Sequence, residues 1–377
     1  MSSSPRPLVG LSALHRRVRE FILSVRAGSR EQTEGLRQDD VRDELLADIA
    51  ALQSHACEPF ARLCAARDAR FDAGPDAWPA LPTDVFRHAR VACFDEGEEL
   101  RTFLTSGTTS GARGRHAFSD LLLYDLAASS AAERCLFGAE GARLVMLAPH
   151  PDEAPESSLS YMLGRFEDWF ESAGASVWIM REGKLDLERF REVMAEGETT
   201  AVLGTSFALV HLDEMLGPQE RFSVGKRGLV MQTGGFKGRA RELDAGAMRA
   251  MLAERFGVPQ TRVVSEYGMT ELASQMYGRG ILDCTLADDG LERLWVPPWV
   301  RATPVDPETL APVPEGQEGI LRIDDCANLH SVCSIQTADR ARREGSDLVL
   351  LGRAAGATPR GCSLAAEEAL GGLGEGT

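Results

Sequence analysis

Apolar and polar residues alternate near the N-terminus with the period of an α-helix. Five apolar residues recur three or four positions apart: Leu14, Val18, Phe21, Ile22 and Val25. A second pattern of this kind runs from Val41 to about Ala66. Residues that share this spacing lie on one face of a helix. We therefore predict a helical N-terminal region over residues 1–81, with a further helical turn that starts at Thr83 and Asp84.

Short apolar runs then alternate with helical patterns. The runs cover residues 143–147, 176–180, 200–203, 228–231 and 262–264. Strands that alternate with helices along the chain are typical of a layered α/β fold with a largely parallel sheet. We predict such an α/β core over residues 82–318.

The pattern changes after Gly319. Apolar runs at residues 320–323 and 348–351 are separated by irregular polar sequence, which favours short antiparallel strands. We predict a small β-containing subdomain over residues 319–370. The glycine-rich segment 371–377 is expected to be a flexible tail.

Charge and composition narrow the possible partners. The 377 residues carry 57 acidic and 41 basic side chains, a formal net charge of -16. An acidic chain argues against nucleic acid or an anionic membrane as a general partner. No apolar run has transmembrane length, and the N-terminus lacks the apolar region of a signal peptide. The eight cysteines contain no Cys-x2-Cys pair, so we expect a reduced, cytoplasmic protein without a structural metal site.

A segment rich in glycine and hydroxyl side chains is the first candidate for chemistry. It reads Leu-Thr-Ser-Gly-Thr-Thr-Ser-Gly-Ala-Arg-Gly-Arg over residues 104–115. Glycine lets backbone N–H groups approach an anion, while hydroxyls and arginines add further donors. The segment lacks the spacing of a Walker loop. A phosphate-binding loop is favoured, and a flexible surface linker is the alternative.

A second segment joins an apolar strand to polar side chains. It reads Val-Val-Ser-Glu-Tyr-Gly-Met-Thr-Glu over residues 263–271. Ligands of α/β proteins collect at the carboxyl ends of strands, so Tyr267 is placed to stack on a base. Thr270 and Glu271 are placed to reach phosphate or to hold Mg²⁺. The alternative is structural, with Tyr267 in the core and Glu271 facing a helix dipole.

Together these segments resemble the adenylate-forming enzymes, and within them the acyl-protein synthetase family typified by the LuxE component of bacterial luminescence. The resemblance spans about Pro82 to Glu368. Residues 104–109 look like the phosphate loop, and residues 265–271 look like the adenine and magnesium motif. Gln336–Arg340 resembles the ribose-binding aspartate segment, and Leu351–Arg353 resembles the segment after it.

Three further segments resemble the acyl-protein branch: Thr233–Gly238, Ala154–Tyr161 and Arg360–Glu368. In that family a cysteine near the C-terminus accepts the acyl group as a thioester, and the resemblance gives this role to Cys362. A neighbouring arginine, Arg360, is expected to lower the pKa of its thiol.

The resemblance implies a fold, two cofactors, a substrate, a partner and a set of site residues. It implies the large α/β domain of adenylate-forming enzymes, ATP, Mg²⁺ on Glu271, a fatty acid or similar substrate, and an acyl-reductase partner. The residues expected to bind phosphate are Thr105, Ser106, Gly107, Thr108, Thr109 and Arg113. The residues expected to bind adenine or ribose are Gly234, Gly235, Glu266, Tyr267, Gly268, Thr270, Asp339 and Arg353. For Asp339, a surface ion pair with Arg340 or Arg342 is the alternative.

The chain departs from the wider pattern in its basic residues. Ser110 stands where many members have a second glycine, and Arg113 and Arg115 replace the usual lysine. The chain is expected to lack the mobile C-terminal domain that carries a catalytic lysine in most adenylate-forming enzymes. Lys237, in a glycine-rich turn, is then the best candidate to polarise phosphate or carboxylate, with a solvated lysine as the alternative.

Two other functions stay open. One is a CoA ligase resembling the phenylacetate-activating branch, in which Cys362 is structural. The other is a catalytically silent homologue that binds nucleotide or a partner as a scaffold. His116, just after the phosphate loop, is a weaker candidate for contact with carboxylate or phosphate.

Overall fold

The computed structural model describes residues 9–28, 38–105, 112–171, 176–197, 199–234, 244–283 and 291–354. The chain forms two compact units. The first unit comprises Met1–Ser130, Met269–Ser274 and Val296–Thr377, and the second comprises Ala131–Gly268 and Gln275–Trp295. The domain boundaries given by the sequence patterns stay predictions.

The helices of the described residues are α1 (Leu11–Ala27), α2 (Gln38–Ala56), α3 (Glu58–Ala66), α4 (Leu122–Ala132), α5 (Ser158–Phe170), α6 (Leu187–Ala195), α7 (Ser206–Met215) and α8 (Ala245–Phe256). The strands of the first unit are β1 (Leu81–Pro82), β2 (Arg101–Leu104), β3 (Arg115–Phe118), β13 (Val300–Val305), β14 (Gly319–Asp325), β15 (Ser334–Glu344) and β16 (Asp347–Arg353). Those of the second unit are β4 (Arg143–Leu147), β5 (Val177–Trp178), β6 (Met180–Arg181), β7 (Lys184–Leu185), β8 (Thr200–Thr205), β9 (Leu229–Thr233), β10 (Val263–Tyr267), β11 (Met276–Gly278) and β12 (Glu292–Trp295). No helix among these combines the length and apolar character needed to cross a membrane.

The N-terminal helices follow the predicted periodicity, with one interruption. Helix α1 buries Leu14, Val18, Phe21 and Ile22, as predicted. The second pattern is divided at Cys57, which has an extended backbone (φ -104°, ψ 104°) between α2 and α3. Pro59 explains the division, because it lacks the N–H needed to continue α2 and fits the first turn of a new helix.

The first unit contains both strands predicted beyond Gly319, as β14 and β16, and a third strand, β15, in the stretch between them that was predicted to be irregular. Strands β13, β14, β15 and β16 lie in that order, each antiparallel to the next. Strand β1 pairs in parallel with β15. Strands β2 and β3 form a separate hairpin in which Arg101 pairs with Phe118 and Leu104 with Arg115.

The buried carboxyl group of Asp325 connects residues 269–274 to this sheet through hydrogen bonds. Asp325, the last residue of β14, is fully buried. Its Oδ2 accepts from the backbone N–H of Ser274 at 2.9 Å, and its Oδ1 accepts from the Ser274 hydroxyl at 2.8 Å and from the Ala327 N–H at 2.9 Å. The indole N–H of Trp299 donates to the same hydroxyl at 3.0 Å. Burial raises the pKa of Asp325 to about 6, and the hydrogen bonds from Ser274, Ala327 and the Ala273 backbone oppose that shift.

The second unit is built on a largely parallel sheet, as predicted. Strands β5, β4, β8, β9 and β10 are parallel neighbours in that order, and β11 and β12 continue the sheet in antiparallel fashion. Helices α6, α7 and α8 contribute to its apolar core through residues that include Phe190, Leu209 and Phe256. The carboxyl ends of the parallel strands therefore lie at one edge of this sheet.

Asp325→Ala tests the fastening of residues 269–274. The substitution leaves three buried donors without their acceptor, and each unsatisfied donor costs about 1–3 kcal/mol. We expect the free energy of unfolding to fall by about 3–5 kcal/mol, measured by equilibrium denaturation. Glu308→Ala removes an exposed carboxylate from the same unit and should change it by less than about 0.5 kcal/mol. A fall of the same small size in both variants would show that the Asp325 hydrogen bonds do not stabilise the fold.

Candidate functional site

In the first unit, the proposed phosphate loop begins and ends on the β2–β3 hairpin. The Thr105 N–H donates to the Gly114 carbonyl at 2.9 Å, and the Gly114 N–H donates to Thr105 Oγ1 at 2.9 Å. A side chain on Gly114 would have its Cβ 2.9 Å from Thr105 Cγ2, so the close approach of the two chains favours glycine. Thr105 and Gly114 thus extend the pairing of β2 and β3 by one more step.

Arg113 folds back on the base of this hairpin. Its Nε donates to the Thr105 carbonyl at 2.7 Å, and its Nη2 donates to the Leu104 carbonyl at 3.3 Å. The guanidinium is partly buried. These contacts place the Arg113 side chain at the start of the loop that was predicted to bind phosphate.

Thr270 and Glu271 lie in a turn of the first unit whose carbonyl groups are both held by buried side chains. The carbonyl oxygen of Thr270 is 2.7 Å from His116 Nδ1. The Glu271 carbonyl accepts from Asn328 Nδ2 at 2.8 Å. The described residues after this turn enter strand β11 rather than a helix, so the alternative in which Glu271 faces a helix dipole is wrong.

The Glu271 carboxyl group is buried, with 8% of the residue exposed. Burial raises its pKa to about 7, because desolvation disfavours the charged form. A hydrogen bond from the Glu271 backbone N–H and the positive charges of Arg87 and Arg353 lower the pKa, but less strongly. The carboxyl group therefore lies in surroundings where a cation would favour its ionised form.

His116 lies in the core of the first unit, and not where its predicted contact with a ligand would place it. It lies on β3 and is 1% exposed. Its ring packs edge-on against Phe86, with ring centroids 5.8 Å apart, and is tilted against Phe118, with centroids 4.2 Å apart. Besides the Thr270 contact, its Nε2 lies 2.9 Å from the Ser331 hydroxyl. Because protein groups engage both ring nitrogens, the prediction that His116 contacts carboxylate or phosphate is wrong.

Asp339 and Arg353 are opposite each other in the antiparallel pair β15 and β16. The Asp339 N–H donates to Thr337 Oγ1 at 3.1 Å. Arg340 binds Glu318, with Nη2 at 2.8 Å from Oε2, and Arg342 binds Glu344 with Nε at 2.7 Å. Both arginines that were considered as partners of Asp339 thus bind glutamates, and the role of Asp339 stays a prediction.

In the second unit, Gly234, Glu266, Tyr267 and Gly268 gather at the carboxyl edge of the parallel sheet. Gly234 directly follows β9 and has φ +73°, a left-handed conformation that favours glycine. The Ser206 hydroxyl, at the start of α7, donates to the Gly234 carbonyl at 2.6 Å.

Glu266 pairs with Thr233 across β10 and β9 and accepts a short hydrogen bond from its hydroxyl. Burial raises the pKa of Glu266 to about 7. A Cβ on Gly268 would lie 2.4 Å from Glu266 Oε1, so a side chain at this position would clash with the Glu266 carboxyl group. Tyr267 is buried, with 9% of the residue exposed.

Several predicted site residues lie outside the described residues. They are Ser106, Gly107, Thr108, Thr109, Gly235, Lys237 and Cys362.

Sequence reasoning missed the side chains that hold the Thr270–Glu271 turn, namely Asn328, Ser331 and Asp325. All three are at most 1% exposed. Asp325 ends β14, and Asn328 and Ser331 lie in the irregular polar stretch after it. No local pattern links these side chains to residues more than fifty positions away. The available signal was polar side chains concentrated within an otherwise apolar region.

Comparisons with known proteins give a consistent family. The model of the family "Acyl-protein synthetase, LuxE" matches residues 16–371. A long-chain-fatty-acid–luciferin-component ligase of Vibrio harveyi is 24% identical over 307 residues, which are 77% of this chain and 78% of the relative. Its counterpart from Aliivibrio fischeri is 22% identical over 314 residues, 80% of this chain and 79% of the relative.

Solved structures with a similar fold include 2-hydroxyisobutyryl-CoA ligase in two states. The postadenylation state with 2-HIB-AMP has a TM-score of 0.61 at 13% identity and covers 84% of this chain and 67% of the ligase. The open conformation with 2-HIB-AMP and CoA has a TM-score of 0.58 at 14% identity and covers 83% of this chain and 75% of the ligase. At this identity the likeness concerns the fold, and it confirms the predicted layered α/β architecture. Because the family match extends over most of its length, the chain belongs to the LuxE family of acyl-protein synthetases and is a ligase, as its motifs predicted.

Proposed function

We propose that the protein activates a long-chain fatty acid with ATP as an acyl adenylate and then transfers the acyl group to its own Cys362. The observation that carries this proposal is the family match over residues 16–371, together with two curated relatives named as long-chain-fatty-acid ligases. The acylated protein would deliver its thioester to a partner of the acyl-reductase type.

The first step needs alignment rather than a general base. A fatty-acid carboxylate is already ionised at neutral pH, so its oxygen attacks the α-phosphorus of ATP directly. A new oxygen–phosphorus bond forms, the bond from the α-phosphorus to the bridging oxygen breaks, and pyrophosphate leaves. The protein must orient the reactants and neutralise charge on the phosphates.

The phosphate roles fall on the loop that the β2–β3 hairpin holds at both ends. Thr105 and Arg113 would act at its base, and Ser106, Gly107, Thr108 and Thr109 would supply hydroxyls and backbone N–H groups. The paired ends support this assignment because a short loop closed by a ladder has less freedom to lose when it binds an anion. Lys237 is proposed to polarise phosphate or carboxylate.

Glu271 is proposed to hold Mg²⁺, and its surroundings fit the ion. A buried carboxylate with a raised pKa is an oxygen ligand that gains from a nearby cation. When bound, the ion would neutralise charge on the phosphates. The fixed carbonyl of Glu271 helps to keep its side chain in one direction.

The residues proposed to bind the nucleotide are those that match the sequence motifs of the family. Asp339 would accept hydrogen bonds from the ribose hydroxyls, a task suited to an ionised carboxylate. The remaining residues proposed to contact adenine, ribose or the adjoining phosphate are Gly234, Gly235, Glu266, Tyr267, Gly268, Thr270 and Arg353.

The thiolate of Cys362 would attack the acyl carbonyl carbon in the second step, and AMP would leave with the electrons of the broken carbon–oxygen bond. The cysteines of the described residues support a separate acceptor. Cys57, Cys64, Cys135, Cys326 and Cys333 are buried. Burial raises the pKa of Cys64 to about 12 and also raises the pKa of Cys135, Cys326 and Cys333. A hydrogen bond with Cys93 lowers the pKa of Cys57, which has no exposed surface. A thiol that stays protonated inside the protein is a poor nucleophile.

Cys362→Ala should abolish self-acylation. Wild-type protein incubated with ATP, Mg²⁺ and a panel of fatty acids is expected to gain the mass of one acyl group, and hydroxylamine should remove it. Intact-protein mass spectrometry should find no adduct on the Ala variant, although pyrophosphate is still released. Cys93→Ser is the matched control, because Cys93 is only partly buried, and it should still be acylated.

Other products would replace the proposal. Release of AMP that depends on added CoA, without a protein adduct, would identify a CoA ligase. An adduct that persists in Cys362→Ala would place the acceptor elsewhere. No acid-dependent reaction with any substrate would favour a nucleotide-binding scaffold.

Glu271→Gln should impair the adenylation step itself. The amide keeps the shape of the side chain but loses the charge that holds the ion, so the rate of acid-dependent pyrophosphate release should fall about 10²–10³-fold. The concentration of Mg²⁺ that gives half the maximal rate should rise. Glu308→Gln, an exposed change in the same unit, should leave both quantities unchanged. An unaltered Mg²⁺ dependence in Glu271→Gln would remove Glu271 from the metal site.

A further inference from the structure

His116 joins two segments of the first unit that are far apart in sequence. It lies on β3, directly after the loop proposed to bind phosphate, and its ring reaches the carbonyl of Thr270, 154 positions further along the chain. Both residues belong to the first unit.

The hydrogen bonds of His116 fix which ring nitrogen carries the proton. A carbonyl oxygen only accepts, so Nδ1 must donate to Thr270, at 2.7 Å. The neutral ring then has an acceptor at Nε2, and the Ser331 hydroxyl donates to it at 2.9 Å. Burial lowers the pKa of His116 to about 4, so the ring is neutral at physiological pH.

The group that His116 holds is part of the peptide plane between Thr270 and Glu271. Asn328 holds the next carbonyl, that of Glu271, at 2.8 Å. Asn328 also donates to the Val332 carbonyl at 3.0 Å, which ties it to the same loop as Ser331. His116 and Asn328 thus orient the carbonyl groups of Thr270 and Glu271. These two hydrogen bonds restrict rotation of the peptide plane that joins the two residues. The direction of the Glu271 side chain depends on that plane.

We propose that His116 is a positioning residue for adenylation, which through its Nδ1 proton orients the Thr270–Glu271 peptide and thereby the carboxylate assigned to Mg²⁺. This inference rests on the proposed function. It adds a residue that touches no reactant and acts through Glu271. A residue that merely fills space between Phe86 and Phe118 would instead contribute to stability alone.

Two amide substitutions separate the two ring nitrogens. In His116→Asn the side-chain amide takes the position of Nδ1 and keeps the donor to Thr270. In His116→Gln the amide reaches the position of Nε2, so the contact with Ser331 is kept and the donor to Thr270 is lost. Both variants replace the same buried ring, which makes each the control for the other. His55→Gln, an exposed histidine on α2, controls for loss of a histidine in this unit.

The test is isothermal titration calorimetry of ATP binding to the full-length protein, with Mg²⁺ and with EDTA, alongside equilibrium unfolding. We expect His116→Gln to weaken ATP binding about tenfold or more in Mg²⁺ and less than about twofold in EDTA, since one oriented hydrogen bond is lost. His116→Asn should stay within about threefold of wild type in both. The unfolding free energies of the two variants should be similar.

Other results would overturn the proposal. If His116→Asn and His116→Gln lost ATP affinity equally, both with Mg²⁺ and with EDTA, His116 would contribute to stability alone. Wild-type affinity in His116→Gln would remove the link to Glu271 while leaving the proposed function intact. A wild-type protein that binds no ATP, or gains nothing from Mg²⁺, would overturn the proposed function and the inference together.

Discussion

The candidate site in the first unit depends on the fastening of one short turn, residues 269–274, by buried polar side chains. His116 holds the Thr270 carbonyl, Asn328 holds the Glu271 carbonyl, and Asp325 holds both the N–H and the hydroxyl of Ser274. An irregular segment has no helix or ladder of its own to satisfy its backbone groups, so side chains must do so. Under the proposed function, the hydrogen bonds that satisfy these buried backbone groups would also orient Glu271. The same contacts would then contribute both to stability and to metal binding.

Buried carboxyl groups are the second constraint. Desolvation raises the pKa of Glu271 and of Glu266 to about 7, and that of Asp325 to about 6. Asp325 has three hydrogen-bond donors and Glu266 has the Thr233 hydroxyl. Glu271 has its own backbone N–H and, beyond it, the charges of Arg87 and Arg353, and burial outweighs them. Under the proposed function, a metal ion would stabilise the charge that burial disfavours at Glu271. Because the chain has a formal net charge of -16, binding of the negatively charged ATP requires local positive charge from arginine side chains or a metal ion.

Local patterns predicted the elements and missed the contacts between them. The apolar run at residues 143–147 coincides with strand β4, because a strand buried on both faces reads as a continuous apolar run. The apolar pattern from Val41 to Ala66 was predicted as one helical stretch, but the helix is interrupted at Cys57. Pro59 accounts for the interruption because it lacks a backbone N–H. His116 was expected to face ligand because it follows the phosphate loop. Its burial against Phe86 and Phe118, and its bond to a residue 154 positions away, depend on tertiary packing that periodicity does not encode. The motif at residues 263–271 was found because its residue types carry chemistry, whereas Asn328 and Asp325 act through backbone groups and leave no such pattern.

The central claim is that this protein activates a carboxylic acid at the expense of the α–β phosphate bond of ATP, whatever the final acceptor. Exchange of labelled pyrophosphate into ATP measures that step alone. It is best carried out with Cys362→Ala, across straight-chain acids from two to eighteen carbons, so that thioester formation does not drain the adenylate. The account predicts exchange that requires both the acid and Mg²⁺ and is fastest with long chains. Exchange that is absent with every acid, or that proceeds equally well without one, would contradict it.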